Sequence, residues 1–258
     1  MQKEQDKFQS STLFEGMTSV RGLLAGQKSG ENDRKILRIL YDESRISKIS
    51  KEVGFLRHEG ERQGFPVVAL PHDEIERITT GNTHGGILAE CSDRSIPALS
   101  TPLATKAKFA VMIDGIEDPY NFGYAIRSLY AMGADLLVLS PRNWLSAAGV
   151  VARASAGTSE QIPVCTADGE DAVRIFKGIG TLTVCADADT DALIEDTALP
   201  FPLFLIIGGE RRGISSSVLH SADKIVRLGY GREFHGALSA ASAAAILAYE
   251  IARINRTT

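Results

Sequence analysis

Leu203-Phe204-Leu205-Ile206-Ile207 is an uninterrupted apolar run that breaks at once into Gly208-Gly209. A strand with no polar residue on either side of its pleat needs cover on both faces, which is the condition of a strand inside a parallel sheet. Phe109-Ala110-Val111-Met112-Ile113 and Leu136-Leu137-Val138-Leu139 have the same character, and Leu182 to Ala186 and Lys224 to Leu228 read as further strands. Between these runs the spacing of apolar residues becomes helical, over Asn121 to Met132, Ala147 to Ala154 and Asp168 to Lys177. A long helix from Leu238 to Ile254 closes the chain, with Ala240 to Ala245 nearly all alanine. This alternation predicts a doubly wound parallel sheet. In such sheets ligands bind beyond the carboxyl ends of the strands, where Gly208, Gly209 and Glu210 fall. Glycine there lets the backbone come close to a ligand.

The first hundred residues alternate on a smaller scale. Strands are expected at Ile36 to Leu40, Phe65 to Leu70 and Gly85 to Ala89, with a helix over Ile46 to Arg62 and a short one ending near Gly26. Met1 to Glu15 is polar and without periodicity, and reads as a loose arm. Ser92 to Lys106, with Pro97 and Pro102, reads as a linker. The predicted division is an arm at 1–15, a small α/β domain at 16–92, a linker at 93–106 and a larger domain at 107–258.

A net charge of −4 gives no global signature of nucleic-acid binding, so such a partner would need a local basic patch. Cys91, Cys165 and Cys185 are far apart and odd in number, and the five histidines are scattered. That pattern supplies neither a disulfide framework nor a metal site, and suits a reducing compartment. No apolar run approaches a membrane span, so a cytoplasmic location with no membrane partner is the expectation.

Asp114 to Gly133 is the second informative stretch. Asn121 stands where it could cap the next helix. Gly123 and Arg127 lie four apart and share a face, so the glycine clears space beside a planar cation suited to phosphate. The competing reading is a surface ion pair from Arg127 to Glu117 or Asp118. Arg153 to Glu160, taken alone, reads as a helix end.

Together these stretches resemble the SpoU/TrmH RNA methyltransferases of the SPOUT superfamily. Asn121-x-Gly123-x-x-x-Arg127 is similar to that family's first motif, Gly208-Gly209-Glu210-Arg211-Arg212-Gly213 to its second, and Leu238 to Glu250 to its third. Ala154-Ser155-Ala156-Gly157 also matches a small-residue stretch of the family. Thr83-His84-Gly85-Gly86 fits the end of the substrate-binding domain that precedes many members. The resemblance implies an α/β/α domain with a parallel sheet and a deep trefoil knot, preceded by a small α/β substrate-binding domain. It implies S-adenosylmethionine as cofactor with no metal, RNA (rRNA or tRNA) as substrate, a homodimer, and methylation of a ribose 2′-oxygen. It places cofactor contacts at Gly208, Gly209, Glu210, Leu228 and Leu238, and catalytic roles at Arg127, Asn121, Glu210 and Ser239. Arg127, Arg212 and Arg232 are candidate RNA contacts.

A guanidinium resists deprotonation, so the favoured role of Arg127 is an electrostatic clamp on a phosphate or developing alkoxide, with proton abstraction as the rival. Asn121 would orient Arg127 or the phosphate, and Glu210 would fix the cofactor loop or the nucleotide. The chain departs from the family where Ser239 replaces the usual asparagine of the third motif, and where Gly229 to Gly236 replaces the commoner Ile-Pro-Met form. The alternative reading is a catalytically impaired RNA-binding protein on the same scaffold.

Overall fold

A computed structural model describes residues 12–80, 83–116, 118–140, 147–209, 213–233 and 236–256. In chain order the first elements are β1 (Leu13–Glu15), α1 (Met17–Ser29), β2 (Ile36–Asp42), α2 (Ile46–Gln63), β3 (Val67–Leu70), α3 (His72–Ile78) and β4 (Ile87–Cys91). There follow α4 (Thr101–Lys106), β5 (Phe109–Asp114), α5 (Pro119–Ala131), β6 (Leu136–Leu139) and α6 (Ala148–Ala154). The chain ends with β7 (Val164–Thr166), α7 (Gly169–Gly178), β8 (Leu182–Ala186), β9 (Leu203–Gly208), α8 (Ser216–Ser221), β10 (Lys224–Val226) and α9 (Ala240–Arg256). These elements form two compact units, Met1–Ser95 with Asn143–Gln161, and Ile96–Arg142 with Ile162–Thr258.

The first unit holds a four-stranded sheet in the order β1-β4-β2-β3, parallel only between β2 and β3. Its core gathers Phe14, Val20, Leu23, Ile39, Leu56, Ile87 and Ala152. Three expectations change here. Leu13 to Glu15, expected at the end of an arm, form a strand paired with β4, and Phe14 is fully buried. α1 does not end near Gly26 but continues to Ser29 and stops on Gly30, whose φ of 79° is left-handed. Arg153 to Glu160, expected inside the larger domain, packs within the first unit.

The glycines of α1 explain both of the last two changes. A Cβ on Gly22 would stand 2.4 Å from the Gly157 carbonyl oxygen, and one on Gly26 would stand 1.8 Å from that of Glu160. The turn after α6 therefore rests directly on the helix backbone. Gly26 is required by this contact and does not terminate the helix.

Charge locks the same contact. The buried Glu160 carboxylate accepts hydrogen bonds from Asn32 Nδ2 at 2.7 Å and from Arg34 Nε at 3.1 Å. Arg94, from the expected linker, is buried too and donates to the Ser159 carbonyl at 2.8 Å and the Glu31 carbonyl at 2.6 Å. Burial pulls the Arg94 guanidinium below its ordinary range, while the nearby Glu160 acts to restore it. Arg153 reaches the buried Glu15 at 2.7 Å.

At the end of β2, Asp42 accepts hydrogen bonds from the Ser44 backbone and hydroxyl and lies 2.7 Å from His72 Nδ1. Burial pushes the Asp42 carboxyl up, but the bonds from Ser44 and His72 outweigh it and hold the group below its usual range. The Asp42 bond in turn raises His72. Asp42 therefore stabilises the fold above its unfolded pKa and loses that effect as pH falls through its depressed folded value. His72 stabilises below its unfolded value and loses the effect as pH rises through its elevated folded one. The pair contributes most between about pH 4 and pH 6.5. His72→Gln is expected to flatten the decline in melting temperature between about pH 6 and pH 8. Parallel wild-type and variant profiles over that range would disprove the coupling.

The second unit is organised on a six-stranded sheet, all parallel, in the order β10-β8-β9-β5-β6-β7. One face, with Ala110, Met112, Phe204 and Ile206, packs under α4, α7 and α8 through Ala104, Phe176 and Val218. Successive side chains of a strand alternate, so Val111, Ile113, Leu205 and Ile207 form the other face. α5 and α9 pack together on that side with Ile126, Leu129, Leu247 and Ile251 buried. The α/β/α architecture expected from the sequence is present. Residues 101–106 of the expected linker form α4. Among the described residues, no helix is long and apolar enough to cross a membrane.

Candidate active site

The central pair of strands, β5 and β9, ends in register, Asp114 opposite Gly208. Beyond that point both chains turn on glycine. Gly115 has φ 90°, and a Cβ on Gly209 would lie 2.3 Å from the Gly115 carbonyl oxygen. A Cβ on Gly208 would lie 2.7 Å from the Gly213 carbonyl carbon. The Gly213 amide donates to the Gly209 carbonyl at 3.0 Å, closing the turn on itself. The sheet therefore ends in a rim where backbone packs directly on backbone. Glu210 and Arg212 lie outside the described residues.

Ser140, just beyond β6, donates to the Asp114 carboxylate at 2.8 Å, which fixes a negative group at the same end of the sheet. In the sequence Asp114 marks only the end of a strand. Farther along, the Ile194 amide donates to the Arg227 carbonyl at 3.0 Å, so the segment before β9 runs alongside the end of β10. A Cβ on Gly229 would collide with the Glu195 carboxylate, at 2.3 Å from Oε1. No spacing in the sequence relates Glu195 to Gly229. Leu228 and Leu238 are half-buried, and Arg232 is exposed.

On α5 the N-cap is Asp118, whose Oδ1 accepts from the amides of Tyr120 at 2.7 Å and Asn121 at 2.8 Å. The expected cap, Asn121, is instead half-buried in the first helical turn. Asp118 Oδ1 is committed to the helix end. Arg127 is exposed, and its side chain makes no hydrogen bond or ion pair with a described residue. Glu117 lies outside the described residues. At about 100° per residue, Asn121 and Arg127 leave the helix about 120° apart, and no hydrogen bond joins them. Tyr120, Gly123 and Tyr124 precede Arg127 by seven, four and three residues and so fall on its side of the helix, with Tyr120 45% and Tyr124 50% exposed.

Ser239 caps the closing helix. Its hydroxyl accepts from the Ser242 amide at 3.2 Å and donates to the Ser242 hydroxyl at 3.0 Å. Among the described residues no group of three or more potential metal ligands occurs. A groove between α7 and α8 is lined by Glu170, Lys177, Ser217 and His220. Its polar groups satisfy one another, through Ser217 to Glu170 and Lys177 to Asp223.

The SpoU rRNA Methylase family matches residues 108–249, which include all the rim and α5 residues just described. The chain belongs to that family. A Mycobacterium ulcerans protein named as an uncharacterized tRNA/rRNA methyltransferase is 30% identical over 203 residues, spanning 75% of this chain and 64% of that protein. The chain thus spans just under two thirds of that relative's length. Its fold is similar to that of the SpoU methyltransferase AviRb from Streptomyces viridochromogenes in complex with AdoMet, with TM-score 0.74, 22% identity and 97% of each chain covered. It is also similar to a structure described as an RNA 2′-O ribose methyltransferase, with TM-score 0.72, 18% identity, and 95% and 89% of the two chains covered.

Proposed function

We propose that this chain is an S-adenosylmethionine-dependent RNA methyltransferase that modifies a ribose 2′-oxygen of cytoplasmic rRNA or tRNA. The observation that carries this reading is the glycine rim at Gly115, Gly208 and Gly209, in a chain of the SpoU family. The residues fit the cofactor in kind. Backbone at Gly208 and Gly209 offers polar groups with no side chain in the way, and half-buried Leu228 and Leu238 offer apolar surface for a planar base. When bound, the cofactor supplies an electrophilic methyl group. Knot formation around these loops belongs to the same proposal.

Arg127 then handles the RNA. An exposed guanidinium with no ion pair to a described residue can pair with a phosphate or stabilise charge developing on the ribose oxygen, without giving up a proton. Asn121 points elsewhere on the helix, so its proposed role is contact with the nucleotide, not control of Arg127. Arg232 is a further RNA contact, and Glu210 and Arg212 keep the roles proposed from sequence. The AviRb complex with AdoMet and the 2′-O ribose methyltransferase support the cofactor and the reaction by likeness of fold.

A homodimer is part of the proposal. Tyr120 and Tyr124 on α5, with Ile246 (43% exposed) and Tyr249 (52% exposed) on α9, leave apolar area uncovered on two helices that pack together. Patches of that kind mark interaction sites.

The test combines calorimetric titration with S-adenosylmethionine and methyl transfer to unmodified total RNA. Arg127→Ala is expected to bind the cofactor as wild type does and to lose about 100- to 1,000-fold in transfer rate. Equal rates would remove Arg127 from the chemistry. The alternative, a catalytically impaired RNA-binding protein, is favoured by one observation, the commitment of Ser239 to the helix cap. It predicts RNA binding with no methyl transfer by wild type.

A further inference from the structure

We infer that the outward face of α2 is a docking surface for single-stranded RNA, an inference that rests on the RNA methyltransferase reading. Past an irregular turn at Ile49, the helix runs without a break to Gln63. Over that length Lys51, Phe55, His58 and Arg62 fall within about 60° of one another at about 100° per residue. All four are exposed, and Lys48, just before the irregular turn, is exposed as well. Val53, Leu56 and Gly60 are buried on the opposite side.

Phe55 is 43% exposed in the middle of this stripe. A single exposed apolar side chain is ordinary. Here it has Lys51 one turn before it, His58 one turn after and Arg62 two turns after. A base can stack on the ring while the flanking phosphates meet Lys51 and Arg62. A duplex keeps its base faces covered, so this geometry selects an unpaired strand. The acids nearest the stripe lie to its sides. Glu52 and Glu59 are half-buried, and Glu59 accepts from Arg62 at 2.6 Å and from Gln63 at 2.9 Å. Glu61 lies on the other flank of the exposed arc. In a chain of net charge −4, an exposed arc with Lys51 and Arg62 around an aromatic, and its acids set to the sides, is surface that a polyanion complements.

The test uses the full chain and a short fluorescent oligouridine, with anisotropy followed over a series of KCl concentrations. Lys51→Ala/Arg62→Ala is expected to reduce the slope of log affinity against log salt by about 1.4, at roughly 0.7 per cation removed. Phe55→Ala is expected to weaken binding about tenfold with the slope kept. It is expected to leave binding of a duplex RNA of equal length unchanged. Arg174→Ala, an exposed arginine of the other unit, is expected to leave the slope alone. All of these residues are exposed, so each variant should melt with wild type.

Unchanged slope and affinity in the α2 variants would overturn the inference. So would an equal slope change in Arg174→Ala, an equal loss on duplex in Phe55→Ala, or a wild-type chain that binds no oligouridine. S-adenosylmethionine titration of the same preparations keeps the two readings apart. Normal cofactor binding with an indifferent α2 face sinks the docking surface alone, whereas absent cofactor binding sinks the enzyme reading whatever the salt slopes show.

Discussion

Glu160→Ala is expected to destabilise the first unit by about 3–5 kcal/mol, read as an early transition in chemical denaturation of the full chain. The carboxylate is 4% exposed and Arg34 is 3% exposed. Removing it strands the Arg34 guanidinium, which keeps a bond to the Ser92 carbonyl at 2.7 Å but loses its only carboxylate partner among the described residues. Asn32 loses its carboxylate acceptor and keeps only the Glu160 carbonyl at 3.2 Å, and Arg94 loses the nearby charge that opposes its desolvation. Replacing both charges by apolar groups would cost less than removing one, because the penalty comes from the unpaired partner. Glu160→Gln keeps an acceptor oxygen and should therefore fall between wild type and Glu160→Ala. A shift below about 1 kcal/mol for Glu160→Ala would show that the cluster relaxes toward water.

Gly209→Ala carries the second large effect, on both stability and cofactor affinity. The new methyl group would meet the Gly115 carbonyl oxygen at 2.3 Å and its carbonyl carbon at 2.4 Å. Neither atom belongs to a side chain that can rotate away, so the ends of β5 and β9 must separate. Such overpacking costs about 1–3 kcal/mol. The rim proposed to hold the cofactor moves with it, and affinity for S-adenosylmethionine is expected to fall at least about tenfold. Gly213→Ala is the informative contrast. Gly213 has φ 59° but open space around its Cβ position, so that substitution strains the backbone without parting the strands. Calorimetry showing wild-type affinity in Gly209→Ala would separate the glycine contact from cofactor binding.

The parallel sheet was legible because its central strands are apolar on both faces, and that pattern depends on sequence alone. The glycine rim was legible too, since two consecutive glycines at the end of such a strand point to a close approach of backbone. Gly26 shows the limit. Within its own helix it reads as a terminator, and only contact with Glu160, far along the chain, gives its purpose. β1 was not legible because three residues cannot display a period, and their pairing with β4 is long-range. Asn121 and Asp118 are both good capping residues, and the choice between them depends on Pro119, whose ring suits the first helical turn. The separation of Asn121 from Arg127 follows from helix geometry once the helix is accepted. Glu195 against Gly229 left no trace in the sequence.

The seating of residues 157–160 on α1 has a consequence for how the chain is made. Synthesis delivers β1 to β4 first, and the central strands β5 and β6 next, before the piece that closes the earlier unit leaves the ribosome. Until then Arg34 and Asn32 face a gap where an acid belongs, and Gly22 and Gly26 present a bare groove. The first unit to begin is thus not the first that can be completed, and cutting the gene after residue 95 would leave an unfinished body instead of a free-standing module.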